Sequence, residues 1–95
     1  MTRLTFSRAA VADIDRIWDY TQERWGIDQA ESYTDDIRDV CLALAAGEKQ
    51  GRVVDIRGGY LKHPVGRHFV FFRVTDTGIV VIRILHQSMD VNRHL

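Results

Sequence analysis

Apolar residues recur at three- and four-residue steps over residues 10–25, which is the spacing of one face of an α-helix. The members of this first stripe are Ala10, Ile14, Ile17, Trp18, Thr21 and Trp25. Most of the neighbouring charged residues, Asp13 and Arg16 among them, fall off the stripe. Ser7 is suitable as the N-cap and Gly26 as the stop. The pattern predicts a helix over residues 8–25.

A second apolar stripe follows almost immediately, between residues 27 and 47. Its members are Ile27, Ala30, Tyr33, Ile37, Val40, Cys41 and Leu44. Asp28, with Glu31 three residues later, resembles a capping box and is the predicted N-cap. Because the connection at Gly26 is so short, the two helices are predicted to form an antiparallel hairpin.

The C-terminal half changes to the pattern of β-strands. Residues 68–75 (HFVFFRVT) and 79–86 (IVVIRILH) are almost continuously β-branched or aromatic, which predicts two central, largely buried strands. The intervening Asp76-Thr77-Gly78 predicts an antiparallel hairpin turn. Weaker strands are predicted at residues 2–6, at 53–56 within a glycine-rich loop, and at 60–64, where Pro64 favours a strand end or a sheet edge.

The predicted order is strand, helix, helix and then three or four strands. The helix hairpin must bury its stripes against one face of a small, mostly antiparallel sheet, so the fold class is α+β. Residues 1–95 are expected to form a single domain. The last residues, 87–95, are polar and are predicted to contain a loose helical turn.

Composition limits the classes of function. The chain is 45% hydrophobic, which excludes a disordered tail, and it has no apolar run that could cross a membrane. Its single cysteine, Cys41, cannot form an internal disulfide and is expected to be a buried apolar side chain. The four histidines lack metal-ligand spacing, so no metal or cofactor is predicted. A cytoplasmic location is expected.

The formal net charge of zero conceals an uneven distribution. Residues 1–48 carry five basic and ten acidic side chains, whereas residues 49–95 carry eight basic and three acidic ones. This difference predicts a basic surface on the C-terminal half that suits an anionic partner. The alternative is that the two halves attract each other within the fold.

Candidate chemistry is confined to basic residues of the predicted sheet. Arg73 and Arg83 interrupt apolar strands, so each must reach solvent, pair with a carboxylate or contact a partner. Together with Arg67 and His86 they could hold a phosphate and move protons for RNA cleavage. The alternative is a structural role for the arginines, bound to acidic residues of the helices or of a partner chain.

Four segments resemble the ParE toxins of the RelE/ParE toxin–antitoxin superfamily, and the likeness extends over essentially the whole chain. They are residues 6–26 (FSRAAVADIDRIWDYTQERWG), residues 29–37 (QAESYTDDI), and the strand pair 66–74 (GRHFVFFRV) and 81–90 (VIRILHQSMD). The resemblance implies a βααβββ fold and a non-enzymatic toxin that inhibits DNA gyrase. It also implies a ParD-type antitoxin, a heterotetramer or larger complex, and contact with operator DNA only through the antitoxin.

The same superfamily contains ribosome-dependent messenger-RNA endonucleases, which are the alternative function. The match to that branch is poor, because Phe69 lies at or near the position of an expected arginine. Gln87, Ser88 and Met89 replace expected basic residues, and the chain ends without a tyrosine. A non-toxic family member that only binds antitoxin is a third possibility.

Two surfaces are predicted from the resemblance and the apolar pattern, and no catalytic residue is assigned. Trp18, Trp25 and Tyr33 are expected either to pack in the core or to anchor a partner. The candidate antitoxin-binding residues are Trp18, Trp25, Tyr33, Arg73 and Arg83. The candidate gyrase-directed residues are Arg67, His86, Arg93, His94 and Leu95.

Overall fold

The computed structural model describes residues 3–55 and 58–95, which form two α-helices, five strands and a C-terminal 3-10 turn. The helices are α1 (Arg8–Trp25) and α2 (Ile27–Ala45), and the 3-10 turn spans Val91–Arg93. The strands are β1 (Arg3–Phe6), β2 (Arg52–Val53), β3 (Leu61–Val65), β4 (His68–Val74) and β5 (Gly78–His86). None of the described helices is long and apolar enough to cross a membrane.

The strands form one sheet in the order β1-β5-β4-β3-β2. The β1–β5 pair is parallel and the other pairs are antiparallel, which confirms the predicted α+β fold with a mostly antiparallel sheet. β2 begins one residue before the predicted segment and ends at Val53. Ile56, the predicted end of that segment, and Thr2, the predicted start of the first strand, lie outside the described residues.

The helix hairpin turns on a single residue. Gly26 has a φ of 94° and separates the last residue of α1 from the first residue of α2. That backbone conformation favours glycine because it places a Cβ too close to the backbone. The predicted N-cap at Asp28 is wrong: α2 begins one residue earlier, at Ile27, and has no side-chain cap. Ser7 does cap α1, since its Oγ accepts a hydrogen bond from the Ala10 N–H at 3.0 Å.

The helices cover one face of the sheet and enclose the main core. Val70 and Phe72 of β4 and Val81 of β5 pack there against Ile37 and Cys41 of α2. The opposite face, called the outer face below, has a smaller apolar cluster centred on Phe71 and Leu85. Val91 and Leu95 of the C-terminal segment pack against that cluster. The two central strands are therefore apolar on both faces, which explains their nearly continuous hydrophobic sequence.

The register of β4 and β5 changes once, and this irregularity positions the charged residues. Phe72 lies opposite Val81 and Phe71 lies opposite Arg83, so Ile82 is an extra residue in β5. Such a bulge bends the strand and alters the direction of the side chains that follow it. The shift occurs just beyond the end of β1, where one edge of β5 is no longer paired with another strand.

Candidate functional site

A groove of about 940 Å³ runs between the helix hairpin and the C-terminal end of β5. We call it the helix–sheet groove. Helix α1 forms one wall, and the β3–β4 turn with the end of β5 forms the other. The groove is lined by Asp13, Arg16, Ile17, Tyr20, Thr21, Arg24, Trp25, Gln29, Tyr33, Gly66, Arg67, His68, Ile84, His86, Ser88 and Met89.

Exposed aromatic and apolar side chains border this groove. Trp25 is 71% exposed, Tyr20 56% and Met89 45%. The Arg24 guanidinium lies 4.7 Å from the centre of the Tyr20 ring, within the range of a cation–π contact. A core position for Trp25 is therefore wrong. Trp25 is the last residue of α1 and directly precedes the turn at Gly26, so its ring lies at the end of the helix and outside the core.

A tyrosine and two histidines meet at the floor of the groove. The Tyr33 hydroxyl lies 2.6 Å from His68 Nδ1 and accepts a hydrogen bond from the Arg67 N–H at 3.1 Å. The His68 and His86 rings contact each other edge to face, with centroids 5.2 Å apart. His86 Nδ1 accepts the Ser88 N–H at 3.1 Å, so a neutral His86 ring carries its proton on Nε2.

Burial shifts the pKa values of His68 and Tyr33 in this cluster. Desolvation, with a contribution from the nearby His86, lowers the pKa of His68 to about 4. Desolvation also raises the pKa of Tyr33, although the Arg67 N–H opposes that change. His68 is therefore neutral near pH 7, and its hydrogen bond with Tyr33 ties helix α2 to the start of β4.

The most buried charged group of the site is Asp13, which is only 4% exposed. Arg83 donates to both of its oxygens, from Nε and Nη2, each at 2.8 Å. Asp13 also accepts the Ile84 N–H at 2.9 Å and a bond from Arg16 Nη2 at 2.9 Å. Burial alone would raise the pKa of Asp13, but these donors and the charge of Arg83 outweigh it and hold that pKa below its usual value.

The expectation that Asp13 lies off the apolar stripe is wrong. The residue is three positions after Ala10 and four before Ile17, so it belongs to the buried face of α1. That spacing was visible in the sequence, but its partner was not, because Arg83 is seventy residues away. The carboxylate also satisfies a backbone N–H on the unpaired edge of β5, which depends on where β1 ends.

The structure separates the five candidate antitoxin-binding residues. Trp25 and Tyr33 line the groove, and Trp18 is half-buried in α1. Arg73 is exposed on the outer face, with its guanidinium 5.8 Å from the centre of the Tyr60 ring. Arg83 is paired with Asp13 of α1. This agrees with the alternative prediction, in which the arginine binds an acidic residue of the helices.

The candidate gyrase-directed residues also occupy two places. Arg67 and His86 line the groove beside the candidate antitoxin-binding residues Trp25 and Tyr33. Arg93 and His94 are exposed on the C-terminal segment, whereas Leu95 packs into the outer-face cluster. Arg83 links this segment to the site, because its Nη1 donates to the His94 carbonyl at 3.2 Å.

Metal and thiol chemistry receive no support from the described part of the chain. Among residues 3–55 and 58–95, no three His, Cys, Asp or Glu side chains lie close enough together to bind a metal ion. Cys41 is fully buried, and burial raises the pKa of its thiol to about 12. The prediction of a buried apolar Cys41 is confirmed.

Comparison with known proteins identifies the family of this chain. Residues 4–91 match the family model described as ParE toxin of type II toxin-antitoxin system, parDE. The chain is 46% identical over 96 residues to Toxin ParE1 of Mycobacterium tuberculosis, covering 99% of this chain and 98% of that protein. It is 39% identical over 90 residues to Toxin ParE1 of Caulobacter vibrioides, covering 94% and 93% of the two chains.

Solved structures agree with this assignment. A chain of the chromosomal ParDE system from P. aeruginosa superposes with a TM-score of 0.79 at 27% identity, covering 90% of this chain and 96% of that one. A chain of the YoeB-YefM complex from Staphylococcus aureus has a TM-score of 0.58 at 17% identity and shares the fold, with coverage of 92% and 98%. The ParE resemblance of the sequence is confirmed, and the chain belongs to the ParE toxin family of type II toxin–antitoxin systems.

Proposed function

We propose that this chain is a toxin that inhibits DNA gyrase and that a ParD-type antitoxin neutralises it by filling the helix–sheet groove. The observation that carries the antitoxin part is the lining of the groove, where exposed aromatic rings and arginines surround a single carboxylate. The family assignment supports the toxin part. The proposed complex contains two toxins and two antitoxins, or a larger assembly.

The charge and apolarity of the groove favour a peptide with both acidic and apolar side chains. Arg16, Arg24 and Arg67 line the groove, and its one carboxylate, Asp13, is already bound by Arg83. Trp25 offers a large exposed ring as an anchor. Tryptophan, tyrosine and arginine are the residues that contribute most to protein interfaces. A flexible antitoxin segment that folds along the groove would match this lining.

Neutralisation would then follow from occlusion. Arg67 and His86, two of the candidate gyrase-directed residues, lie inside the groove. A bound antitoxin segment would cover both side chains. The C-terminal residues Arg93 and His94 lie on the other side of the sheet and complete the proposed gyrase contact.

A non-enzymatic mechanism is proposed, with RNA cleavage as the second candidate. The observation that favours cleavage is the meeting of Arg67, His68 and His86 in one groove. Against it, His68 is neutral and engaged with Tyr33. That leaves His86 as the one histidine available for proton transfer, which is a weak basis for nuclease activity. Expression in cells separates the two candidates: a DNA-damage response supports gyrase inhibition, and rapid arrest of translation supports cleavage.

The groove proposal is tested by calorimetric titration of the toxin with its antitoxin. Trp25→Ala is expected to weaken binding by roughly 30-fold, because truncation of a central anchor costs about 2 kcal/mol. The matched control is Leu42→Ala on α2, which removes a side chain that is 49% exposed and does not line the groove. Equal affinities of the two variants would contradict the groove as the antitoxin site.

The gyrase proposal needs a separate measurement with purified components. Wild-type toxin is expected to inhibit supercoiling of a relaxed plasmid by gyrase, and added antitoxin is expected to restore it. Full supercoiling activity at saturating toxin would contradict gyrase inhibition. It would not bear on the proposal that the antitoxin binds the helix–sheet groove.

A further inference from the structure

The outer face of the sheet carries a group of basic side chains that the proposed function does not use. Arg52 of β2, Lys62 of β3 and Arg73 of β4 come from three adjacent strands. Lys62 lies opposite Phe71, an outer-face residue, and Arg73 follows Phe71 by two positions. Arg52 lies opposite Lys62. Side chains at such positions share one face of a sheet, so the three form a cationic row.

Two of the three cations in this row lie over aromatic rings. The Lys62 ammonium is 4.7 Å from the centre of the Phe69 ring, and the Arg73 guanidinium is 5.8 Å from that of Tyr60. Within residues 3–55 and 58–95, none of the three cations forms an ion pair with a carboxylate. These ring contacts hold the Lys62 and Arg73 side chains on the outer face.

The position of Arg52 opposite Lys62 has a cost for folding. Like charges directly opposite each other on neighbouring strands destabilise a sheet. Since no described carboxylate separates them, the stability of the fold does not account for this pair. An anion that bridges the two strands does account for it.

The two helices carry the opposite charge, because their acidic side chains outnumber their arginines by nine to four. Eight acidic residues of the two helices are exposed, namely Asp15, Asp19, Glu23, Asp28, Glu31, Asp35, Asp36 and Asp39. The helices lie on the other face of the sheet, so the chain is acidic on one side and basic on the other. Outside the groove, the excess of helix acids disfavours a polyanion and the cations of the outer face attract it, which gives a complex a preferred orientation.

We propose that the outer face binds the phosphate backbone of duplex DNA through Arg52, Lys62 and Arg73. Val91 and Leu95 pack against the apolar cluster of this face, and the Phe69 and Tyr60 rings are only partly exposed beneath Lys62 and Arg73, so the face offers mainly charge. A peptide partner needs apolar anchors for affinity, whereas a phosphodiester backbone needs only positioned cations. The choice of duplex DNA rests on the proposed function, because gyrase acts on duplex DNA.

This inference goes beyond the expectation that DNA contacts the toxin only through the antitoxin. Contacts to phosphate fix position and carry no sequence information, so the toxin is expected to bind DNA without sequence preference. With three phosphates neutralised, affinity is expected to fall by about 40-fold between 50 and 200 mM salt.

The test is fluorescence anisotropy of a labelled 20-base-pair duplex titrated with the purified toxin at several salt concentrations. Lys62→Gln and Arg73→Gln are each expected to weaken binding at low salt and to reduce the slope of log affinity against log salt by about 0.9. The matched control is Arg38→Gln on α2, which removes the same charge from the helix layer. Arg38→Gln is expected to leave the slope unchanged.

Three outcomes would overturn the inference. The first is equal binding by wild type, Lys62→Gln and Arg73→Gln. The second is tighter binding of a single-stranded 20-mer than of the duplex. The third is tighter binding of poly-glutamate than of the duplex at an equal concentration of charges, which would identify the outer face as a site for an acidic protein.

Two further measurements keep the interpretation clear. Arg52→Gln is expected to weaken DNA binding without lowering the urea midpoint of unfolding, because it removes a repulsion between neighbouring strands. A fall in both quantities would show that Arg52 supports the fold instead. The anisotropy assay contains no gyrase, so DNA binding that persists without inhibition of supercoiling would refute the proposed function and leave the inference standing.

Discussion

The carboxylate of Asp13 accepts four hydrogen bonds, from Arg16, twice from Arg83, and from the Ile84 N–H. It joins helix α1 to the edge of β5 at the point where the pairing with β1 has ended. Through Arg83 the same network reaches the His94 carbonyl of the C-terminal segment. One buried side chain therefore connects the groove wall, the central strand and the segment on the outer face.

Replacement of either Asp13 or Arg83 is expected to lower the free energy of unfolding substantially. Asp13→Ala leaves the Arg83 charge and the Ile84 N–H without their acceptor, and Arg83→Met leaves a buried carboxylate, so each change should cost about 3–5 kcal/mol. The double variant Asp13→Ala/Arg83→Met should cost less than the sum, because neither charge then remains uncompensated. Urea unfolding of the wild type, the two single variants and the double variant measures the coupling free energy between Asp13 and Arg83. Additive losses would contradict a direct ion pair.

Arg16 provides the control for that experiment. Its side chain is 67% exposed and also binds Asp13 at 2.9 Å. An exposed partner contributes little, so Arg16→Met is expected to change the free energy of unfolding by less than about 1 kcal/mol. A loss as large as that of Arg83→Met would show that any cation near Asp13 suffices.

Among the elements, β1 depends on one close backbone contact with β5. Arg3 pairs with Gly78, and the Arg3 N–H donates to the Thr77 carbonyl at 2.9 Å. A Cβ at position 78 would lie 1.8 Å from the Arg3 carbonyl oxygen. Only glycine allows the two strands to meet here. The parallel pairing of β1 with β5 thus depends on Gly78, which the sequence predicts to be part of a hairpin turn.

Gly78→Ala is expected to separate β1 from β5 and to destabilise the fold by about 1–3 kcal/mol, because the new methyl group overlaps backbone atoms. Urea unfolding gives the free energy, and faster hydrogen exchange of the amides of residues 3–6 locates the change. Gly58→Ala is the control, since nothing lies within 4 Å of a Cβ at that position. Equal stability of the two variants would contradict the close contact.

At the scale of the whole molecule, the helices and the sheet divide the charge between two sides. The helices present exposed acids, and the outer face presents Arg52, Lys62 and Arg73. The net charge of zero therefore does not describe the charge of the surface that a partner contacts. In the two proposals, an antitoxin segment and DNA occupy different surfaces, so both can be bound by one toxin.

The stability of the whole molecule is expected to fall in two steps on acidification. His68 has a pKa of about 4 in the folded chain against 6.5 when unfolded, so the unfolded state binds the extra proton between these values. Above pH 6.5 the contribution of the neutral His68 to the free energy of unfolding is fully present. It decreases as the pH falls towards 4, by up to about 3 kcal/mol. Below about pH 4, protonation of Asp13, whose pKa is lowered on folding, removes a second contribution.

Urea unfolding at pH 7, 5 and 4 measures this dependence, and His68→Gln isolates the first step. Glutamine does not titrate, so the variant should lose stability between pH 6.5 and 4 less steeply than the wild type. Identical pH dependence of the two proteins would show that His68 is not held neutral by the fold.

Much of the fold was predictable because each element has its own local signal. Ser7, the apolar stripes and the β-branched runs identify α1, α2, β4 and β5 within one or two residues. Local signals are weaker where an element is short or where two elements compete. Gly26 ends one helix and begins the next, which explains the wrong start predicted at Asp28.

The candidate site was predicted only in part, because its residues meet through tertiary packing. Tyr33, Arg67 and His86 were identified individually, but the sequence does not show that they line one groove with Trp25. Assigning Tyr33 to the antitoxin and His86 to gyrase remains a prediction. The exposure of Trp25 follows from where the hairpin turns relative to the sheet, which helical spacing alone does not reveal.

The sequence by itself determined the order of the elements, the buried central strands and the family, since these depend on periodicity and on motifs that are local along the chain. The tertiary structure alone decided the partner of Arg83, the burial of Asp13 and the separation of Arg73 from the groove. Those outcomes depend on the bulge at Ile82 and on the short β1, which bring together residues distant in sequence. Hydrophobic pattern specifies which faces are buried, whereas the register of the sheet specifies which charges meet.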